Sequence, residues 1–202
     1  MTTKPRSPFA LALVLALSAC LPRPQGTDDA LQQSDAGPAP ERLFTHGQHL
    51  AASGQPVKGE QYIALAIAAG YPAARAMPAL LSSCIASGRL RAALQHAERF
   101  LRREPGAWRI RQLAAALRLA FGQPEAAESH LLAVLQMAPK AAESHYLLAS
   151  LELEYRGDLD AAAGHYATYM RLAPRGTHAA EVRAWLETRR AAQLAEIGSA
   201  QP

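Results

Sequence analysis

The sequence predicts an all-α protein assembled from a unit of about 34 residues, and three observations carry that reading. Half of the 202 residues are apolar, much of that share is alanine, and aromatics amount to only 6%. Alanine is the best helix former and contributes little to strands. Gly54, Gly88, Gly122 and Gly157 stand 34, 34 and 35 residues apart. Pro105, Pro139 and Pro174 stand 34 and 35 apart, and Ala93, Ala127 and Ala162 keep the same intervals. Three independent markers in one register point to a true internal repeat. A chain of this length can bury one real core.

Residues 1–19 read as a targeting segment. Lys4 and Arg6 precede an apolar run from Phe9 to Ala19. As a helix the run covers about 16 Å, against roughly 30 Å of hydrocarbon, so it is too short to span a bilayer. It suits the apolar core of a secretory signal peptide. The run ends Leu17-Ser18-Ala19-Cys20, which resembles the lipobox of bacterial lipoproteins. That resemblance implies cleavage before Cys20, lipid on its thiol and, usually, acylation of the new amino group. Several acyl chains give stable anchoring where one does not. The resemblance also implies the outer membrane, with the domain facing the periplasm, because Leu21 and not an aspartate follows the cysteine. A covalent lipid on Cys20 is the only non-protein group expected.

Residues 20–39 are a tether. The stretch is rich in Pro, Gly, Gln and Asp and has neither a helical nor a strand period. A flexible chain of this length spans roughly 25 Å.

The repeats follow. Their period is that of the tetratricopeptide repeat (TPR), and the chain resembles that family from about Pro40 to Gly176. The resemblance implies a solenoid of about four helical hairpins, each of an A and a B helix. Its units are 40–73, 74–107, 108–141 and 142–176. The first has Leu43, Phe44, Gly47 and Gly54, but Gly59 stands where alanine is usual and Pro72 comes one residue late. The second has Leu80, Gly88, Ala93, Phe100 and Pro105, with Pro78 expected in the first turn of its A helix. The third has Ala115, Gly122, Ala127, Leu131 and Pro139; Trp108 lies near the place of its missing early aromatic. The fourth has His145, Leu148, Ala149, Gly157, Ala162, Tyr166, Tyr169 and Pro174, and carries one extra residue before its turn glycine. Glycine admits the left-handed backbone that ends an A helix, and proline ends the B helix. Each hairpin buries too little alone, so the units must stack.

A capping helix is expected over 177–195, with Thr177 as N-cap, Glu181 in the first turn, and Val182, Trp185, Leu186 and Leu194 on one apolar side. Trp185 either caps the stack or pairs two copies. Residues 196–202 read as a frayed tail.

The chemistry of the chain is sparse. The net charge is +4, but removal of residues 1–19 takes Lys4 and Arg6 and leaves 19 basic against 17 acidic residues. That small excess argues against nucleic acid as a partner. Cys20 and Cys84 form no disulfide framework. No nucleophile elbow, phosphate loop or zinc-type pairing appears, so an enzyme is not expected. His46 and His49, three apart on one helix, share a face, but no third ligand is spaced to complete a metal site. Cys84 reads as a buried, inert thiol.

What remains is a surface. On the TPR pattern the face of the A helices holds a peptide or helix of a protein partner. The residues on that face would be Phe44, Gln48, Arg75, Ser82, Arg109, Gln112, Tyr146 and Ser150. Seven arginines lie between Arg89 and Arg111, with Glu98 and Glu104 the only acids, so this stretch is either a binding surface for an acidic partner or anionic lipid head groups, or a solvated helix face. Lipobox, tether and repeats together resemble the TPR lipoproteins that assist pilus or secretion machines, among them the type IV pilus pilotins and the tight-adherence pilus lipoprotein. A secretin subunit is the partner that resemblance implies. The alternative is an adaptor that recruits periplasmic cell-wall enzymes or proteases.

Overall fold

A computed structural model describes residues 39–199, with side chains as far as Ala195. The signal segment, Cys20 and all of the tether but Ala39 lie outside the described residues. Within them the chain forms nine α-helices and no strand: α1 (Pro40–Ala52), α2 (Pro56–Ala68), α3 (Ala73–Ala86), α4 (Leu90–Leu101), α5 (Trp108–Ala120), α6 (Pro124–Met137), α7 (Ala142–Leu151), α8 (Leu159–Leu172) and α9 (Ala179–Ser199). A π-helical turn, Glu152–Arg156, extends α7. No described helix is long and apolar enough to cross a membrane. The helices pair as α1/α2, α3/α4, α5/α6 and α7/α8, and contacts between α1 and α3 and between α5 and α7 join the A helices of neighbouring hairpins. The architecture is the four-hairpin solenoid with a capping helix.

Local chemistry sets the helix ends. Proline starts α1, α2 and α6, where its missing N–H has no intrahelical partner to lose. Asp158 caps α8, its carboxylate accepting from the Asp160 and Ala161 amides at 3.1 and 2.9 Å. The four turn glycines all adopt the left-handed conformation, with φ between 67° and 81°. Gly70, outside the 34-residue register, does the same at φ 102° and ends α2 in place of the absent proline.

Small residues at the crossings set the packing. Ala93, Ala127 and Ala162 are fully buried. The apolar core runs along the stack in three clusters. The first joins Ile63, Leu80, Leu81, Phe100, Ile110 and Leu117 across α2–α5. The second joins Ala115, Ala127, Leu131 and Leu148 across α5–α7. The third joins Ala149, Tyr166, Tyr169 and Val182 across α7–α9.

Three local expectations are corrected. Helix α3 begins at Ala73, so Pro78 lies inside it and not in its first turn. The ring removes the bond to the Ala74 carbonyl, and both residues are exposed, so water can satisfy that oxygen. Helix α9 begins at Ala179, two residues past Thr177, and runs on to Ser199. Leu194 does not join the apolar side of α9: it is 61% exposed, while Val182 is buried and Trp185 and Leu186 pack against the third cluster.

Candidate partner-binding face

A crevice of about 390 Å³ lies between the A helices α5 and α7. Its walls are Trp108, Arg109, Gln112 and Leu113 of α5 and Glu143 and Leu147 of α7. The floor is apolar, from Leu113 and Leu147, and the rim carries both signs of charge. The Arg109 guanidinium lies over the Trp108 ring, 4.5 Å from its centroid, an arrangement that holds the cation at the rim without an acid. Trp108 also lines a second crevice of about 360 Å³ with the loop 138–141. The indole, half-buried, therefore stands between two hollows.

The eight residues expected on this face are not brought together. Arg109 and Gln112 share the α5–α7 crevice. Gln48, Arg75 and Ser82 are exposed on α1 and α3 and line neither hollow. Phe44 is half-buried and stacks on Tyr71, with ring centroids 4.3 Å apart. Tyr146 is half-buried and stacks on His178 at 3.8 Å, and its hydroxyl reaches the Glu181 carboxylate at 3.4 Å. Burial and Glu181 push the Tyr146 phenol upward. The Ser150 hydroxyl donates to the Tyr146 carbonyl at 3.2 Å. Trp108, the largest side chain at the crevice, is not among the expected residues because it precedes the position where the repeat places its aromatic. The signal was its place as first residue of an A helix.

The arginine-rich stretch is divided between faces. Arg89 pairs with Glu60 at 2.9 Å, and Arg111 donates to the Pro105 carbonyl at 2.9 Å. Arg99 and Arg103 rim a larger crevice, about 540 Å³, between α2, α3 and α4, whose apolar wall includes Ile67, Met77 and Phe100. Arg109 faces the α5–α7 crevice instead.

Among the described residues one group has donor atoms close enough to share a metal ion. Glu60, Cys84 and His96 place theirs within 4.8 Å of one another. Cys84 is fully buried, as expected, and burial, followed by Glu60, pushes its thiol up to about 12. Burial holds the His96 imidazole below its usual range, so it is neutral. His46 and His49 are exposed and outside this group; His46 meets the edge of Tyr62 at 4.6 Å.

Residues 85–151, from the end of α3 to the end of α7, match the family model for the tetratricopeptide repeat. No curated protein matches the sequence. Solved structures share the fold. YrrB, described as a TPR protein with an unusual peptide-binding site, is 16% identical over 78% of this chain and 79% of its own, with a TM-score of 0.62. A tetratricopeptide repeat protein from Parabacteroides merdae is 20% identical over 77% of this chain and 61% of its own, with a TM-score of 0.64. MamA from Desulfovibrio magneticus is 17% identical over 72% of this chain and 81% of its own, with a TM-score of 0.60. The fold is that of a TPR solenoid, and its central residues, 85–151, carry the family's sequence pattern.

Proposed function

We propose that the protein is a lipid-anchored TPR scaffold of the bacterial envelope that holds a segment of a protein partner on its A-helix face. The observation that carries this reading is the α5–α7 crevice. An apolar floor with Trp108 and Arg109 at the rim has the composition of an interface hot spot, since aromatic and arginine side chains dominate binding energy where they are desolvated. A fold shared with YrrB, whose peptide-binding site is described for that protein, agrees with a peptide or helix as ligand. The lipobox-like run ending at Cys20 supports the anchor, and Leu21 in place of an aspartate after it supports the outer membrane as the address. Lipobox, tether and repeats together support a role in assembling a pilus or secretion machine, with a secretin subunit as the partner.

Deletion of the gene followed by fractionation of secretin multimers tests the machine. Multimers should fail to reach the outer membrane; normal amounts there remove the secretin reading. Trp108→Ala with Arg109→Glu should reproduce the deletion and weaken partner binding by about 2 kcal/mol, roughly thirtyfold. The same change on Gln48 and Ser82 should not. Cys20→Ser should move the domain into the soluble periplasmic fraction, and continued membrane association would remove the anchor.

A further inference from the structure

We propose that Glu60, Cys84 and His96 form a zinc site that ties the first hairpin to the second. The three side chains come from three helices, α2, α3 and α4, and no repeat marker relates them. Their donor atoms lie within 4.8 Å of one another, and His96 Nε2 is already 3.9 Å from Glu60 Oε1. Around tetrahedral zinc, donors at ordinary bond lengths stand about 3.5 Å apart. Side-chain adjustments of about an ångström therefore close the site.

The donor set selects the metal. A thiolate, an imidazole and a carboxylate are the three ligand types zinc takes, whereas calcium and magnesium require oxygen. Three protein ligands leave a fourth position for water. That position has access: Glu60 and Cys84 are buried, but the His96 side chain keeps 25% of its exposure and lines the 540 Å³ crevice.

The surroundings suit a metal as well. Arg89 Nη1 donates to Glu60 Oε2 at 2.9 Å and leaves Oε1 toward the imidazole. Such a bond to the second oxygen orients a ligating carboxylate. The charges also balance. On binding, the Cys84 thiol gives its proton to solvent as the Zn–S bond forms, and neutral His96 offers a ring-nitrogen lone pair. Zinc with one thiolate and one carboxylate then carries no net charge, and the remaining positive charge, on Arg89, sits on a side chain that is 46% exposed and meets solvent.

The test uses the full chain carrying Cys20→Ser, in which Cys84 is the one thiol. One equivalent of cobalt(II) should give a thiolate-to-metal charge-transfer band and the strong visible bands of four-coordinate cobalt. About one proton should be released per metal, and zinc should displace the cobalt. Cys84→Ser should abolish the charge-transfer band. His96→Gln, at a partly exposed position lining the crevice, should weaken zinc binding tenfold or more, as should Glu60→Gln; about tenfold is already the least that loss of a ligand's hydrogen-bond partner costs. His46→Gln and His49→Gln should change nothing. The proposal is overturned by absence of the band, by its survival in Cys84→Ser, or by unaltered zinc affinity in His96→Gln.

Discussion

Gly47 and Gly59 face each other where α1 crosses α2, and neither has room for a side chain. A Cβ on Gly59 would stand 2.8 Å from the Gly47 carbonyl oxygen and 2.8 Å from Ala51 Cβ. Gly59 looked like a departure from the repeat, which usually has alanine there. It is the same device carried further: the smaller residue gives the closer crossing. Gly59→Ala therefore sets two effects against each other. Alanine gains about 1 kcal/mol of helix propensity, while overpacking against a fixed carbonyl costs typically about 1–3 kcal/mol. The expected outcome is a net loss of about 1 kcal/mol. Gly164, inside α8, has nothing within 4 Å of its would-be Cβ, so Gly164→Ala should gain up to about 1 kcal/mol. Urea unfolding of the two variants decides the point, because the opposed signs follow from space alone. Burial of Cys84 was legible at this scale, since the repeat register assigns that position to packing. Its neighbours Glu60 and His96 were not, because a period reveals only what recurs.

The elements were legible where glycine and proline punctuate them, and least so where local geometry departs from the α-helix. The 35-residue interval ending at Gly157 announced one extra residue in the fourth hairpin, but not its form. The chain absorbs it as the π-helical turn Glu152–Arg156. The wider turn aims side chains back at the third hairpin: the Tyr155 hydroxyl donates to the Leu119 carbonyl at 3.0 Å, and Arg156 pairs with Glu128 as well as with Glu152. Such insertions persist when the residues they redirect find partners. Thr177 misled for a related reason. The Tyr169 hydroxyl accepts the His178 amide at 3.0 Å, so the start of α9 is tied to the preceding helix. The α7–α8 pair carries its own pH dependence. His145 and His165 approach Nδ1 to Nδ1 at 3.3 Å. Burial lowers both imidazoles from the ordinary 6.5; His165 adds to the effect on His145. The unfolded chain thus binds more protons than the native one once the pH falls below about 6.5, and stability is lost on acidification through that value. Melting followed from about pH 7.5 to about pH 5 should show the decline. His145→Gln with His165→Gln should make it shallower, and an unchanged slope would place its origin elsewhere.

Across the molecule the three core clusters follow one another in chain order, so each hairpin is stabilised by its immediate neighbours and the ends are special. This explains why the residues expected on the A-helix face share a crevice only in the middle of the stack. Arg109 and Gln112 sit between two complete hairpins and line a crevice. Phe44 in the first hairpin and Tyr146 in the last turn instead to Tyr71 and to His178, because an end unit lacks a neighbour and recruits face residues to packing. Among the described side chains, the C-terminal end is closed by the first half of α9. Val182 is 1% exposed, and Trp185 meets the Tyr166 ring edge-on at 5.1 Å, whereas residues 191–195 are all exposed. Truncation after Arg190 should therefore leave the melting temperature unchanged. Truncation after Arg175 uncovers Tyr166 and Tyr169 and takes away Val182 and Trp185, at about 1.5–3 kcal/mol for each large side chain exposed. Because coupling runs only between neighbours, hydrogen exchange in that shorter chain should quicken most in α7 and α8 and least in α1 and α2. Equal destabilisation by the two truncations would mean that residues 176–190 add nothing and that the stabilising part of α9 lies beyond Arg190. Uniform acceleration along the chain would mean that the stack unfolds as one unit.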